Sequence, residues 1–147
     1  MIIGLTGPFA SGKTEVVNHL IKKNFNHFSL SDSVREEARK RNIELTRENL
    51  QKLGNFLRET YGNNILAVKV IEKLDLNKNT IIDGIRNPSE AKELMKLNNF
   101  YFVCIDAPFK TRLNRVKSRN RESDENDLKS IKRFIELEKI DLGKNQK

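Results

Sequence analysis

The chain has 147 residues, of which 33% are charged and 37% are hydrophobic, and this size and composition suit one domain with a core of its own. No apolar run approaches the roughly 20 residues that a membrane span needs, so we expect no membrane partner. Cys104 is the only cysteine in the sequence, which excludes an internal disulfide and a cysteine-rich zinc site and favours a cytoplasmic protein. The net charge of +8 predicts an anionic partner.

Short apolar runs alternate with amphipathic stretches along the chain. Strands are predicted at residues 2–6, 26–30, 80–83 and 100–105. Helices are predicted from residue 13, from the capping-box pair Ser33 and Glu36, around residues 50–57, at 65–74 and 89–97, after Pro108 and from residue 128. This alternation predicts an α/β fold, in which a parallel sheet is covered by helices on both faces. Without a repeat or a long linker, we expect a single domain over residues 1–147.

The segment between the first strand and the first helix carries a phosphate-binding pattern. Its glycine, lysine and threonine positions fit G-x-x-x-x-G-K-S/T, the Walker A pattern, in the run Gly7, Pro8, Phe9, Ala10, Ser11, Gly12, Lys13, Thr14. Such a loop wraps backbone N–H groups around phosphate oxygens at a helix N-terminus. We therefore expect residues 7–14 to bind ATP, with Lys13 on the β- and γ-phosphates and Thr14 on Mg²⁺. An ordinary glycine turn with a surface lysine is the competing interpretation, which the strand–loop–helix context disfavours.

Asp83 ends the predicted strand at residues 80–83. Ligands of parallel sheets bind beyond the carboxyl ends of the strands. A carboxylate at that position can hold the water shell of Mg²⁺, although an aspartate after an apolar strand also serves as a turn or cap residue. Together with the phosphate loop, Asp83 is predicted to be a metal ligand.

The order of these elements resembles that of the nucleoside monophosphate kinases and their relatives, the dephospho-CoA kinases. The resemblance covers residues 1 to about 140 and rests on the phosphate loop, the run from Asp32 to Arg35, and the run from Asp83 to Arg86, which is one residue shorter than the Asp-Gly-Phe-Pro-Arg segment of those kinases. It implies a three-layer P-loop NTPase fold with an acceptor-binding helical region at about 32–75. It also implies an ATP-dependent kinase of nucleoside or deoxynucleoside monophosphates, in which Arg35 and Arg86 bind the acceptor phosphate. A solvated helix face with i,i+4 ion pairs is the competing interpretation of Arg35. Arg58 either faces that phosphate or forms a surface salt bridge.

The role of Asp32 depends on the kind of acceptor. A phosphate acceptor arrives ionised and needs arginines, whereas a hydroxyl acceptor benefits from a carboxylate that takes its proton. The resemblance to dephospho-CoA kinases places such an aspartate near Asp32, which could instead be a helix N-cap. Arg35 and Arg86 favour the phosphate acceptor.

Much of the basic charge is concentrated in residues 107–121, which contain six basic and no acidic side chains. The resemblance implies an arginine-rich lid at about 117–127 that delivers Arg119 and Arg121 to the transferring group, with Arg115 as a second choice. A nucleic-acid contact is the competing interpretation, and the lack of Phe and Tyr in residues 110–133 argues against it.

For the chain as a whole, the alternative to an enzyme is a non-catalytic nucleotide- or nucleic-acid-binding module on the same fold.

Four strands are readable in the sequence, whereas the kinases that it resembles continue past the lid into a further strand and helix. The sheet is therefore expected to be incomplete at its C-terminal edge. A shortened protein, a fragment and a form completed by a partner chain, such as a homodimer, are the alternatives left open.

Overall fold

A computed structural model of the chain describes residues 1–118 and 134–136. Within these ranges four strands form one parallel sheet: β1 (Ile2–Thr6), β2 (Asn26–Ser29), β3 (Thr80–Asp83) and β4 (Phe100–Cys104). Their order across the sheet is β2-β3-β1-β4, and Ile2 lies opposite Thr80 on one side and Phe100 on the other. The predicted parallel α/β sheet is confirmed.

Six helices connect or follow these strands between residues 1 and 118. They are α1 (Lys13–Ile21), α2 (Leu30–Lys40), α3 (Arg47–Tyr61), α4 (Ile65–Ile71), α5 (Pro88–Leu94) and α6 (Phe109–Lys117). None of them is long and apolar enough to cross a membrane. Leu53 and Leu57 face the core from α3, and Gly62 ends that helix as the sequence predicts.

Helix α2 begins earlier than the sequence pattern suggests. Ser33 and Glu36 predict a start at residue 33, but the helix begins at Leu30, directly after β2. Ser29 has the extended conformation of an N-cap residue, and Leu30 is fully buried. Burial of Leu30 at the junction therefore fixes the start of the helix, and the predicted capping box is wrong.

The sheet separates two apolar cores. On one face Ile82 packs with the buried side chains of helices α2 to α5. On the other face Leu5 and Ile81 pack against Val17 of α1. Since alternate residues of a strand point to opposite faces, Ile81 and Ile82 fall on different sides, which gives the three layers that the sequence predicts.

Strand β4 is the last strand of the sheet in the part of the chain that the structure describes. Its side chains Tyr101, Phe102 and Val103 are exposed. This is the edge at which the sequence predicts that the sheet lacks a further strand. Except for Lys117, Ser118 and residues 134–136, the predicted lid and last helix lie outside the described residues.

Candidate active site

The phosphate loop, residues 7–14, connects β1 to α1. Gly12 stands at the N-cap of α1 with φ 114°, a left-handed conformation that favours glycine. Gly7 has φ 137°, and a Cβ there would collide with the carbonyl oxygen of Ile105. Both fixed glycines of the pattern are therefore required by the backbone itself.

Lys13 reaches back over this loop. Its Nζ donates hydrogen bonds to the carbonyl oxygens of Gly7 (2.6 Å) and Pro8 (2.9 Å). The start of a helix presents backbone N–H groups that the helix itself does not use, and the helix dipole makes this end positive. The loop thus combines an ammonium group with backbone donors, which is an arrangement suited to an anion.

Asp83 ends β3 beside the phosphate loop. Its Oδ2 lies 3.4 Å from His27 Nε2, and its Oδ1 is buried with no hydrogen-bond partner among the described residues. Burial alone would raise the pKa of Asp83, but the contacts with His27 and Ser29 and the charge of Lys13 together hold it below its usual range. The same contact with Asp83 raises the pKa of His27 by more than burial lowers it. Asp83 is therefore an ionised carboxylate, and one of its oxygens accepts no hydrogen bond from the described residues.

An open cleft of about 170 Å³ lies at the carboxyl ends of β1, β2 and β3. Its walls include Gly7 and Lys13 of the phosphate loop, Ser29 and Ser31 at the start of α2, and Asp83 and Arg86 after β3. This is the edge of a parallel sheet where ligands bind. Of the predicted site residues, the structure thus brings Gly7, Lys13, Asp83 and Arg86 into one cleft.

Arg58 forms a buried ion pair rather than lining this cleft. Its Nε and Nη2 donate to Oε1 of Glu90 at 3.0 and 2.8 Å. The side chain of Arg58 is 10% exposed and that of Glu90 is fully buried. Arg58 thus forms an internal salt bridge with Glu90, a residue not selected from the sequence, and not the surface salt bridge that the sequence suggests.

Arg35 and Asp32 contact each other in the first turns of α2. Arg35 Nη1 donates to Asp32 Oδ1 at 2.8 Å and to Ser31 Oγ at 3.0 Å. Neither residue lines the cleft, but Ser31 does, so Arg35 lies one side chain away from it. Asp32 is not an N-cap, because Ser29 holds that position. The capping alternative for Asp32 is therefore wrong.

Helix α6 supports the phosphate loop through two arginines. Arg115 Nη1 donates to the carbonyl oxygens of Ala10 (3.1 Å) and Ser11 (2.8 Å). Arg112 Nη1 donates to the carbonyl of Phe9 at 3.2 Å. Arg115, the second choice among the predicted lid arginines, therefore contacts the phosphate loop. Arg112 was not selected from the sequence. The spacing of these two arginines, three residues apart on one helix, is the sequence pattern that could have indicated that both contact the loop.

An aromatic cluster completes that support. The ring of Phe134 packs on Phe9 of the phosphate loop, at 5.8 Å between centroids, and on Phe109 of α6, at 5.3 Å. The guanidinium of Arg112 lies over Phe109 and Phe134. Arg119 and Arg121, the predicted lid arginines, lie outside the described residues.

Comparison with known proteins assigns the chain to a family. The family model described as "AAA domain" matches residues 3–140. The UPF0200 protein of Thermococcus kodakarensis is 36% identical over 131 residues, covering 84% of this chain and 71% of the relative. The chain belongs to the AAA-domain family and to the UPF0200 proteins.

Further similarities agree with this assignment. A UPF0200 protein of Methanococcus vannielii is 34% identical over 145 residues, covering 96% of this chain and 77% of the relative. Among solved structures, the shikimate kinase of Acinetobacter baumannii in complex with shikimate has a TM-score of 0.53 and 19% identity, and the match covers 99% of this chain and 75% of that one. This likeness shows the fold alone, and it confirms the predicted P-loop kinase fold of this UPF0200 family member.

The site of this UPF0200 family member fits a magnesium–nucleotide complex better than a metal held by protein alone. Among the described residues no group of three His, Cys, Asp or Glu side chains could hold a metal ion. Mg²⁺ needs few protein ligands, because it keeps several waters and binds substrate phosphates. The buried Oδ1 of Asp83 and the hydroxyl of Thr14, in the first turn of α1, are oxygen donors of the kind it prefers.

Proposed function

We propose that this UPF0200 family member is an ATP-dependent phosphotransferase that moves the γ-phosphoryl group of ATP to a nucleoside or deoxynucleoside monophosphate. The observation that carries the proposal is the single cleft shared by Lys13, Asp83 and Arg86. It joins a phosphate loop, an ionised carboxylate and a further arginine at the ligand-binding edge of the sheet. A nucleotide on the loop and an acceptor near Arg86 would then meet in one place.

The chain's own groups supply binding and charge stabilisation. The loop N–H groups and Lys13 bind the ATP phosphates, and Thr14 and Asp83 hold Mg²⁺. When bound, Mg²⁺ neutralises charge on the phosphate oxygens. Phosphoryl transfer depends mainly on positioning and on such stabilisation, since charge spreads over the phosphoryl oxygens in the transition state. Arg119 and Arg121 are proposed to add positive charge there.

Arg86 and Arg35 support a phosphate-bearing acceptor. An oxygen of an ionised acceptor phosphate forms the new bond to the γ-phosphorus, the bond to the β-phosphate oxygen breaks, and ADP leaves. This reaction needs no base, but it needs cations that hold the acceptor in line. Arg86 lines the cleft, and Arg35 is linked to it through Ser31.

A hydroxyl acceptor with Asp32 as the base is the alternative within the same reaction class. Asp32 is more than half exposed and bonded to Arg35, and it is not part of the cleft wall. These contacts favour the phosphate acceptor. A non-catalytic nucleotide- or nucleic-acid-binding module is the alternative outside enzymes.

The test is a phosphoryl-transfer screen with the purified protein, Mg²⁺ and ATP against each ribo- and deoxynucleoside monophosphate and dephospho-CoA. We expect formation of ADP and a nucleoside diphosphate with one group of monophosphates. Phosphorylation of dephospho-CoA alone would support the hydroxyl acceptor. No turnover with any acceptor, together with oligonucleotide affinity that falls steeply with salt, would support the binding module.

A further inference from the structure

Glu90 is a fully buried carboxylate near the start of α5 that receives four hydrogen bonds. Its Oε1 accepts the two bonds from Arg58 of α3. Its Oε2 accepts the backbone N–H groups of Arg86 (2.9 Å) and Asn87 (3.3 Å). The Glu90 carboxylate thus joins the guanidinium of Arg58 to the main chain of Arg86, which lines the cleft.

The hydrogen bond from the Asn87 N–H to Glu90 Oε2 is part of a capping box. Asn87 is the N-cap of α5 and accepts the N–H of Glu90 at 2.9 Å, while the Glu90 side chain accepts the N–H of Asn87. A capping box stabilises a helix start with any glutamate at this position. It does not require that the glutamate be buried or that it also bind the residue before the cap. The contacts with Arg58 and with the N–H of Arg86 are therefore additional to capping.

Two further contacts join the same elements. Asn87 Nδ2 donates to the carbonyl of Asn63 at 3.1 Å, and Asn64 Nδ2 donates to Glu93 Oε2 at 2.8 Å. The α3–α4 connection is thus bound to the first turns of α5. A displacement of α3 and α4 would be transmitted to the main chain at Arg86.

We infer that Glu90 and Arg58 are positioning residues, whose buried ion pair couples α3 to the main chain of Arg86 and so sets where Arg86 lies in the cleft. The inference rests on the proposed function for the role of Arg86 at the acceptor. A buried ion pair adds little net stability compared with apolar side chains, and in some proteins its role is to select one geometry among several. A fixed position matters for a residue that must hold an acceptor in line with a phosphoryl group.

The experiment compares two double variants that both remove the buried charges. Removing one partner alone would leave an uncompensated buried charge and risk unfolding. R58M with E90Q keeps one side-chain oxygen for the N–H of Arg86, whereas R58M with E90L keeps none. The control is K92Q, because Lys92 lies on the same helix and is exposed.

We expect the E90L double variant to raise the KM for the acceptor about tenfold, while the KM for ATP changes by less than about twofold. The E90Q double variant should lie between it and the wild type, and K92Q should match the wild type. Thermal unfolding by circular dichroism verifies that each variant is folded. An unchanged acceptor KM in a folded E90L double variant, or equal changes in both KM values, would overturn the inference.

Amide hydrogen exchange tests the same coupling without any turnover. The Arg86 and Asn87 amides should be protected in the wild type and exchange faster in the E90L double variant. Fast exchange of both in the wild type would overturn the inference even if the enzyme is active. Absence of phosphoryl transfer by the wild type, with these amides protected, would instead overturn the proposed function and leave the coupling itself established.

Discussion

Arg115 Nη1 lies 2.8 Å from the carbonyl oxygen of Ser11, so that helix α6 holds the phosphate loop. Loop N–H groups can point toward a phosphate only if the loop carbonyls point elsewhere. Arg115 and Arg112 provide partners for three of these carbonyls, those of Phe9, Ala10 and Ser11. The loop is therefore held in place before a nucleotide binds.

Replacing Arg115 with methionine should weaken ATP binding about fivefold to tenfold, because two charge-assisted hydrogen bonds to the loop are lost. Isothermal titration with a non-hydrolysable ATP analogue and Mg²⁺ measures the effect. K110A on the same helix is the matched control, since Lys110 is exposed. Equal affinities for R115M and the wild type would contradict the support role.

Replacing Lys13 with alanine should lower the rate of phosphoryl transfer by at least about a hundredfold, since the β- and γ-phosphates lose their ammonium partner. The fold should persist, because Lys13 belongs to neither of the apolar cores on the two faces of the sheet. Coupled ADP detection and a thermal melt measure the two effects. K22A, a change of the exposed C-cap residue of α1, serves as the control. A folded and fully active K13A variant would exclude the loop from catalysis.

Replacing Arg86 with alanine should raise the acceptor KM or lower kcat by about tenfold or more, because a charged hydrogen bond to the acceptor phosphate is lost. The KM for ATP should stay close to that of the wild type. Steady-state kinetics with either substrate varied separate the two constants. R39A, an exposed change on α2, serves as the control. If R86A leaves both acceptor parameters unchanged, Arg86 does not contact the acceptor.

The contact of His27 with Asp83 should make stability depend on pH. Because the folded pKa of His27 lies above its ordinary value of 6.5, its contribution is fully present below about pH 6.5 and is lost as the pH rises through the folded pKa. Because the folded pKa of Asp83 lies below 3.8, its contribution is present above that pH and is lost as the pH falls through the folded value. The pair is therefore fully formed between about pH 4 and pH 6.5.

Urea unfolding of the wild type and H27Q from about pH 5 to about pH 9 tests this expectation. The difference in free energy of unfolding should be largest at the acidic end and should shrink as the pH rises. H19Q, a change of the other histidine at an exposed position of α1, should show no such trend. A difference that stays constant over the range would show that His27 is not charged in this contact.

Much of the candidate site follows from local sequence. The phosphate loop is contiguous, and its fixed glycines are imposed by backbone conformation, so the pattern predicts both position and geometry. The strand that ends at Asp83 is short and apolar, and parallel strands present their carboxyl ends at one edge. The predicted meeting of Lys13, Asp83 and Arg86 follows from these two facts.

The start of α2 shows where local signals fail. Ser33 and Glu36 have the spacing of a capping box, yet Leu30 is fully buried and the helix starts there. Local capping contributes about 1 kcal/mol, whereas burying a leucine contributes about 1.5–3 kcal/mol, so the tertiary contact decides.

The amino-acid sequence by itself determined the alternation of strands and helices, the phosphate loop and the carboxylate that ends β3, because each depends on neighbours within a few residues. The tertiary structure alone decided that Arg58 pairs with Glu90, 32 residues away, and that Arg115 holds Ser11, 104 residues away. An arginine can pair with any of the chain's acceptors until folding brings one of them within hydrogen-bond distance and removes water from both groups.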